Sequence, residues 1–177
     1  NKHGRAIRFH ESTVREMGRT ATGVRGMTLD ETGDDEVIGM ICIKDPEKET
    51  VMVVSEQGYG KRSEIEDYRI TNRGGKGVKT LNITEKTGNL VAIKSVTDEN
   101  DLVIINKSGI TLRMKVADVR IMGRATQGVR LINLEKRNDE IASVCKVLSE
   151  TESDSSNSEN IDSASEINEA EASETTE

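Results

Sequence analysis

Three copies of one segment recur at spacings of 54 and 51 residues in this 177-residue sequence and constrain its fold more than any other feature. The copies align without gaps from Gly4, Gly58 and Gly109, and each has a second glycine 19 positions later, followed by valine. Repeats of about 50 residues are typical of solenoids and propellers, in which each unit buries its apolar face against its neighbours. The sequence therefore predicts a repeat architecture rather than one irregular core.

Short apolar runs between the copies predict β-strands, because they are rich in Val and Ile and are bounded by turn residues. The runs occupy 37–43, 50–54, 90–96, 102–106 and 141–147. Within the third copy, apolar and polar residues alternate over 110–116, as in a half-buried strand. With a further strand after each Gly-Val, four strands per copy match a propeller blade. We predict an all-β, propeller-like (β-pinwheel) fold of about three four-stranded blades over residues 1–148, partial at its start.

The last apolar run, 141–147, matches the first strand of a blade whose other strands are missing from the sequence. The first copy likewise begins at its third-strand position, since Gly4 is preceded by only three residues. We therefore expect a part of a larger wheel with an open edge.

The C-terminal segment 149–177 differs in composition from the repeats. It holds ten of the 32 acidic residues and no Lys or Arg, which leaves 25 basic against 22 acidic residues over 1–148. A Ser/Glu-rich segment with only Ile161 and Ile167 as large apolar groups cannot repay the entropy of ordering. We predict a disordered acidic tail, which either competes with a polyanion for the basic repeats or serves only solubility.

Four repeat positions, here called columns, are basic in every copy: the first is Arg8/Arg62/Arg113, the second Arg15/Arg69/Arg120, the third Arg19/Arg73/Arg124 and the fourth Arg25/Lys79/Arg130. In a wheel, equal positions recur around the rim, so each column becomes a belt of positive charge. Arginine presents planar paired donors that suit phosphate oxygens, and the glycine-rich loop 72–77, with Lys76, allows close approach of backbone amides. These thirteen residues are the candidate DNA-binding residues. The alternative for each column is a structural salt bridge between blades.

The sequence offers no group of residues suited to catalysis. Cys42 and Cys145 stand 103 positions apart, and His3 and His10 have no evident ligand partners, so we predict no disulfide framework and no metal site. No cofactor is predicted for this chain. No apolar run is long enough to span a membrane and no signal peptide begins the chain, so we expect a soluble, cytoplasmic protein.

Several stretches together resemble the family of C-terminal domains found in the A subunits of bacterial DNA gyrases. They lie at 14–27, 58–65, 73–78 and 108–129, and an acidic tail follows them. The resemblance implies a six-bladed β-pinwheel whose blades exchange strands, with half of the wheel in this chain. It also implies wrapping of duplex DNA around the basic rim, in support of ATP-dependent negative supercoiling.

What the resemblance implies beyond this chain concerns the whole type IIA topoisomerase. That isomerase contains two A and two B subunits, lies in the bacterial cytoplasm on the chromosome, and uses ATP and Mg²⁺ in parts absent here. The family's hallmark run, Gln-Arg-Arg-Gly-Gly-Lys-Gly, is matched only in its second half, by Asn72–Gly77. Two alternatives stay open: the corresponding C-terminal domain of topoisomerase IV, and a protein-binding propeller whose binding does not fall steeply with salt.

Overall fold

The structure is a computed structural model that describes residues 1–31, 33–134 and 138–149. Asn1–Val147 form one compact unit, and a separate unit begins at Leu148. Apart from Ser149, the tail predicted to be disordered lies outside the described residues. Within the described ranges, no helix has the length and apolar character needed to cross a membrane.

Short strands and single 3₁₀ turns make up the regular structure of the described ranges. The strands are β1 (Arg5–Ala6), β2 (Thr50–Ser55), β3 (Tyr59–Glu64), β4 (Val78–Lys79), β5 (Leu90–Val96), β6 (Asn100–Asn106), β7 (Thr111–Lys115), β8 (Val129–Arg130) and β9 (Ile141–Leu148). The 3₁₀ turns, Glu11–Thr13, Ile65–Asp67 and Val116–Asp118, fall at the same position of each copy. The chain is therefore all-β, as its apolar runs predicted.

The strands form one complete four-stranded sheet and two smaller ones. The complete sheet has the order β5-β2-β3-β8, the second β7-β6-β9 and the third β1-β4. Strands β2 and β3 are an antiparallel hairpin, and β5 runs antiparallel along the other edge of β2. The complete sheet and the β1-β4 sheet thus each draw strands from two copies.

The last strand of each copy pairs with the copy before it. Strand β4 of the second copy pairs with β1 of the first, and β8 of the third copy pairs with β3 of the second. Glycine makes this approach possible: Gly77 has φ +71° and Gly128 has φ +80°. A Cβ at these positions would lie 2.3 Å from the Ala6 carbonyl oxygen and 2.5 Å from that of Gly60. In the second and third copies, the repeated glycine lies where the chain passes closest to the preceding copy.

Three details of the strand prediction are wrong. The strand expected after Gly23 and Val24 of the first copy does not form, whereas β4 and β8 form at the same position of the other two copies. Residues 37–43 form no strand, although Ile38, Ile41 and Ile43 pack against a core. Their counterparts β5 and β9 pair with the strand just before the first glycine of the preceding copy, and only three residues precede Gly4 in this sequence. Residues 141–147 do not begin an unfinished blade, because β9 joins β6 and β7.

Strand β2 lies between the two apolar cores and contributes to both. Met52 and Val54 face the core shared with β6 and β9, whereas Val51 and Val53 face the core that contains Tyr68. Alternate side chains of a strand point to opposite faces, so a strand that is apolar throughout is buried on both. Tyr68 itself is 4% exposed.

Candidate nucleic-acid interface

The first basic column joins each copy to the next. Arg8 Nη1 donates to the carbonyl oxygens of Ile65 (2.9 Å) and Tyr68 (3.1 Å), and Arg62 Nη1 donates to that of Val116 (3.1 Å). Ile65 and Val116 occupy the same repeat position, at the start of a 3₁₀ turn. The same contact is therefore made twice, each time pointing forward along the chain.

Arg62 is placed in the interior rather than on a rim. Its side chain is 5% exposed, Nε donates to Thr50 Oγ1 (3.1 Å), and Nη1 lies 2.7 Å from Asp98 Oδ1. In the third copy, Arg113 Nε pairs with Asp101 Oδ2 at 2.8 Å. The belt predicted for this column is thus occupied by interactions within the fold, with a neighbouring copy for Arg8 and Arg62 and with the adjacent strand β6 for Arg113. Phosphate contact by Arg8, Arg62 and Arg113 stays a prediction, and of the three Arg62 is the most deeply buried.

The third column joins each copy to the one before. Arg73 Nε donates to the Thr13 carbonyl (3.1 Å) and its Nη1 to the Arg25 carbonyl (3.3 Å). Arg124 repeats both contacts on Asp67 and Lys79 of the second copy, at 3.0 and 2.9 Å. Each guanidinium keeps further donors beyond the two it uses. Arg19, which has no earlier copy in this sequence to contact, is exposed.

The second and fourth columns are the exposed ones. All six side chains belong to exposed residues: Arg15, Arg69, Arg120, Arg25, Lys79 and Arg130. Lys79 Nζ donates to Asn82 Oδ1 (3.2 Å), and Arg130 donates through Nε and Nη2 to the Tyr59 hydroxyl (3.2 and 3.0 Å). These columns place a cation at the same surface position of successive copies.

A groove of about 250 Å³ lies where the glycine-rich loop of the second copy meets the first copy. Arg69 and Lys76 line it together with the backbone of Gly75 and Gly77. Gly74 has φ +84° and donates its amide to the Gly26 carbonyl (2.6 Å), so the loop is fixed on the first copy. Arg8 also lines the groove, and basic side chains beside glycine backbone suit an anionic ligand.

Lys61 is a buried cation that the sequence analysis missed. It is 0% exposed, and its Nζ donates to the carbonyl oxygens of Gly123 (2.8 Å) and Arg124 and lies 3.4 Å from Thr126 Oγ1. Burial, opposed by the charge of Asp67 and aided by that of Arg124, lowers the pKa of Lys61 to about 8. A signal was present in the repeat, since the other two copies have Ile7 and Leu112 in this position.

A second missed cluster surrounds His3. Its Nδ1 lies 3.3 Å from Asp30 Oδ2 and 3.9 Å from Asp35 Oδ1, and its Nε2 lies 3.4 Å from Asp34 Oδ2. Burial alone would lower the pKa of His3, but the hydrogen bond to Asp30 and the charges of Asp35 and Asp34 raise it. The expectation that His3 has no potential ligand partners is therefore wrong. His3, Asp30 and Asp35 could hold a cation, although acidic groups commonly adopt such spacings without one.

The copies exchange strands, and arginine hydrogen bonds join each copy both to the next one and to the one before. These features are those of a propeller-type repeat domain. The profile of the family described as DNA gyrase C-terminal domain, beta-propeller, matches residues 1–44, 49–97 and 100–145. The chain belongs to this DNA gyrase C-terminal domain family.

Individual relatives agree with this assignment. The gyrase A protein of Staphylococcus aureus (strain NCTC 8325 / PS 47) is 48% identical over 157 residues, which cover 89% of this chain and 17% of that protein. A solved DNA gyrase A C-terminal domain has a TM-score of 0.69 and 28% identity, over 83% of this chain and 48% of that one. The C-terminal domain of a DNA topoisomerase IV has a TM-score of 0.77 and 23% identity, over 94% of this chain and 49% of that one. At that identity the topoisomerase IV match shows the fold alone. The chain spans about half of the two solved domains and a small part of the Staphylococcus aureus protein.

Proposed function

We propose that this chain binds duplex DNA through its phosphate backbone, as part of the DNA-wrapping domain of a gyrase A protein. Family membership supports the assignment, and the exposed basic columns supply a surface of suitable chemistry. The binding is tolerant of sequence, because phosphate contacts fix position without reading bases. Base stacking has little part, since Phe9, Tyr59 and Tyr68 are the only aromatic residues and Tyr68 is buried.

The observation that carries the proposal is the exposure of Arg15, Arg69 and Arg120 in all three copies. In the first and third columns, every arginine except Arg19 makes a contact within the fold: four bond to neighbouring copies, and Arg113 pairs with Asp101. For the second column, the described contacts supply no such structural explanation. A repeated, exposed guanidinium is well suited to the regularly spaced phosphates of a duplex that follows the rim.

The proposal extends to the enzyme in which such a domain works. The parent protein is a type IIA topoisomerase of two A and two B subunits that introduces negative supercoils at the expense of ATP. DNA cleavage, Mg²⁺ binding and ATP hydrolysis are carried out by other parts of that enzyme, in the bacterial cytoplasm. This chain contributes the surface along which a DNA segment is wrapped.

The test is a titration of the full chain with a fluorescent duplex across a salt series. One variant changes Arg15, Arg69 and Arg120 to alanine. The control removes the same charge from exposed lysines outside the columns, through Lys44→Ala, Lys48→Ala and Lys146→Ala. Circular dichroism confirms that each protein keeps its β spectrum.

The variant without Arg15, Arg69 and Arg120 is expected to bind DNA more weakly. The slope of log affinity against log salt should become shallower by up to about 2.7, about 0.9 for each of the three phosphate contacts removed. The control is expected to keep the slope of the unaltered chain. Equal effects of the two variants would show that the columns form no specific track. Binding that is absent, or flat with salt, in the folded unaltered chain would overturn the proposed function.

A further inference from the structure

The loop of residues 122–126, here called the third-copy loop, rests on strand β3 of the second copy through a row of polar side chains. Lys61 Nζ binds the carbonyl oxygens of Gly123 and Arg124, and Ser63 Oγ donates to the carbonyl oxygen of Met122 (2.9 Å). Both anchoring side chains are completely buried. An ammonium group has three donors, so the Gly123, Arg124 and Thr126 oxygens use all of them.

The carbonyl contacts decide where the amides of this loop point. In a trans peptide the N–H lies opposite the C=O of the same unit. Because the Gly123 and Arg124 carbonyls face Lys61, the amides of Arg124 and Ala125 face away from it. Neither amide has a hydrogen-bond partner among the described residues, and Ala125 is exposed. Successive open amides next to a guanidinium suit an anionic oxygen.

The corresponding loop of the second copy is built differently. Its amide equivalent to Ala125, that of Gly74, is taken up by the Gly26 carbonyl at 2.6 Å. The position beneath that loop is apolar, Ile7, and its cation, Lys76, is exposed on the loop itself. The third-copy loop is therefore supported from beneath by the buried Lys61, whereas the lysine of the second-copy loop, Lys76, is exposed on the loop itself.

We propose that the third-copy loop is a phosphate-binding loop of the DNA rim and that Lys61 is its positioning residue. This inference rests on the proposed function, and it names the phosphodiester group as the ligand of the open amides and of Arg124. Lys61 touches no DNA. Lys61 holds the carbonyl groups of Gly123 and Arg124 toward the interior, so the amides of Arg124 and Ala125 point away from it. Its ammonium group also adds a positive charge behind these amides.

Protonation of Lys61 makes the loop sensitive to pH. With its pKa near 8, Lys61 is mostly charged at pH 7 and mostly neutral at pH 9. A neutral amine donates two hydrogen bonds at most, so one of the three oxygens loses its donor as the pH rises, and the positive charge behind the open amides is lost. The charged groups that face Lys61 are Asp67, which favours the ammonium form, and Arg124, which disfavours it. DNA affinity is therefore expected to fall as the pH rises through 8.

The experiment compares duplex binding by the full chain with three variants over a pH and salt series. Lys61→Met replaces the lysine by an apolar side chain, as in the other two copies, so the β fold is expected to persist. Lys146→Met removes the same charge from an exposed strand position. Ser63→Ala removes the neighbouring anchor of the same loop without a change of charge. Circular dichroism and amide exchange at residues 124–126 are measured on each protein.

The expected result is that Lys61→Met, unlike Lys146→Met, lowers the salt slope by about 1, the loss of one phosphate contact. Its affinity no longer falls through pH 8, and its amides at 124–126 exchange faster. Ser63→Ala keeps the pH dependence. If folded Lys61→Met binds like Lys146→Met, or retains the fall through pH 8, the inference is overturned.

If Lys61→Met loses its β spectrum, the pH series of the unaltered chain decides. A fall in affinity through pH 8 with a constant spectrum supports the inference, and a flat profile overturns it. The proposed function fails separately, when the unaltered chain shows no salt-dependent DNA binding. If the variant of Arg15, Arg69 and Arg120 loses binding but Lys61→Met does not, the proposed DNA-binding function stands and the inference about Lys61 is overturned.

Discussion

The guanidinium Nε of Arg124 lies 3.0 Å from the carbonyl oxygen of Asp67 in the preceding copy, and Arg73 makes the same contact with Thr13 at 3.1 Å. The bonds of the third column run backward along the chain, whereas those of Arg8 and Arg62 run forward. Each junction between copies is therefore bonded from both sides. Two of the four basic columns owe their repetition at least in part to this internal role.

Substitution of the third-column arginines by lysine separates the effect of their charge from the effect of their hydrogen bonds. Arg73→Lys and Arg124→Lys keep a cation but lose the planar fork that reaches two carbonyls. Each change is expected to lower the free energy of unfolding by about 1–2 kcal/mol. The salt slope of DNA binding should stay the same. Urea denaturation and DNA titration of the full chain measure the two quantities.

Arg120→Lys is the matched control, because Arg120 is exposed. It is expected to change neither quantity. A reduced salt slope in Arg124→Lys at unchanged stability would contradict the structural role of the third column.

Removal of the buried Arg62 should cost far more than removal of its acidic partner. Arg62→Ala leaves the Val116 carbonyl and Thr50 hydroxyl without their donor and opens space in the interior, at a cost of about 3 kcal/mol of unfolding free energy. Asp98 is 74% exposed, so Asp98→Asn is expected to cost less than about 1 kcal/mol. Thermal and urea unfolding would measure both, and equal costs would contradict the interior role of Arg62.

Most of the strands could be predicted from sequence, but their partners could not. The runs 90–96 and 141–147 match β5 and β9 closely, because apolar periodicity reports local structure. Strand pairing depends on contacts between distant residues, which periodicity does not encode. The segment 37–43 is at least as apolar as β5 and still forms no strand, since a strand needs a neighbour as well as a pattern.

The basic columns could be found from sequence, but their division into bonded and exposed sets could not. Arg62 and Arg69 look alike as letters in a repeat, and only the fold shows that one is buried and the other exposed. Lys61 is a position whose importance the sequence marks but whose burial it does not explain. The other two copies have an apolar residue at this repeat position. The carbonyl oxygens that make the burial of Lys61 possible lie more than 60 positions away in the chain.

The repeated glycines allow a test of strand exchange with an internal control. Gly77→Ala and Gly128→Ala place a Cβ 2.3 and 2.5 Å from carbonyl oxygens of the preceding copy. Gly23 has the same left-handed backbone, φ +88°, but its Cβ would meet nothing within 4 Å. Gly23→Ala is therefore expected to cost only about 1 kcal/mol, the strain of the left-handed conformation. The other two changes are expected to cost at least twice as much in urea denaturation. Three equal costs would show that the close approach of the copies is unimportant for stability.

The stability of the chain should rise with pH above 8 through Lys61. In the unfolded chain this lysine titrates near its ordinary pKa of 10.5, whereas burial lowers its pKa to about 8 in the folded chain. Between these values the unfolded chain holds a proton that the folded chain lacks, so the free energy of unfolding increases with pH. The difference in unfolding free energy between the unaltered chain and Lys61→Met isolates this effect, because other groups titrate equally in both. We expect that difference to shift in favour of the unaltered chain from pH 8 to 10.5. A difference that is constant with pH would mean that Lys61 is not desolvated in the folded protein.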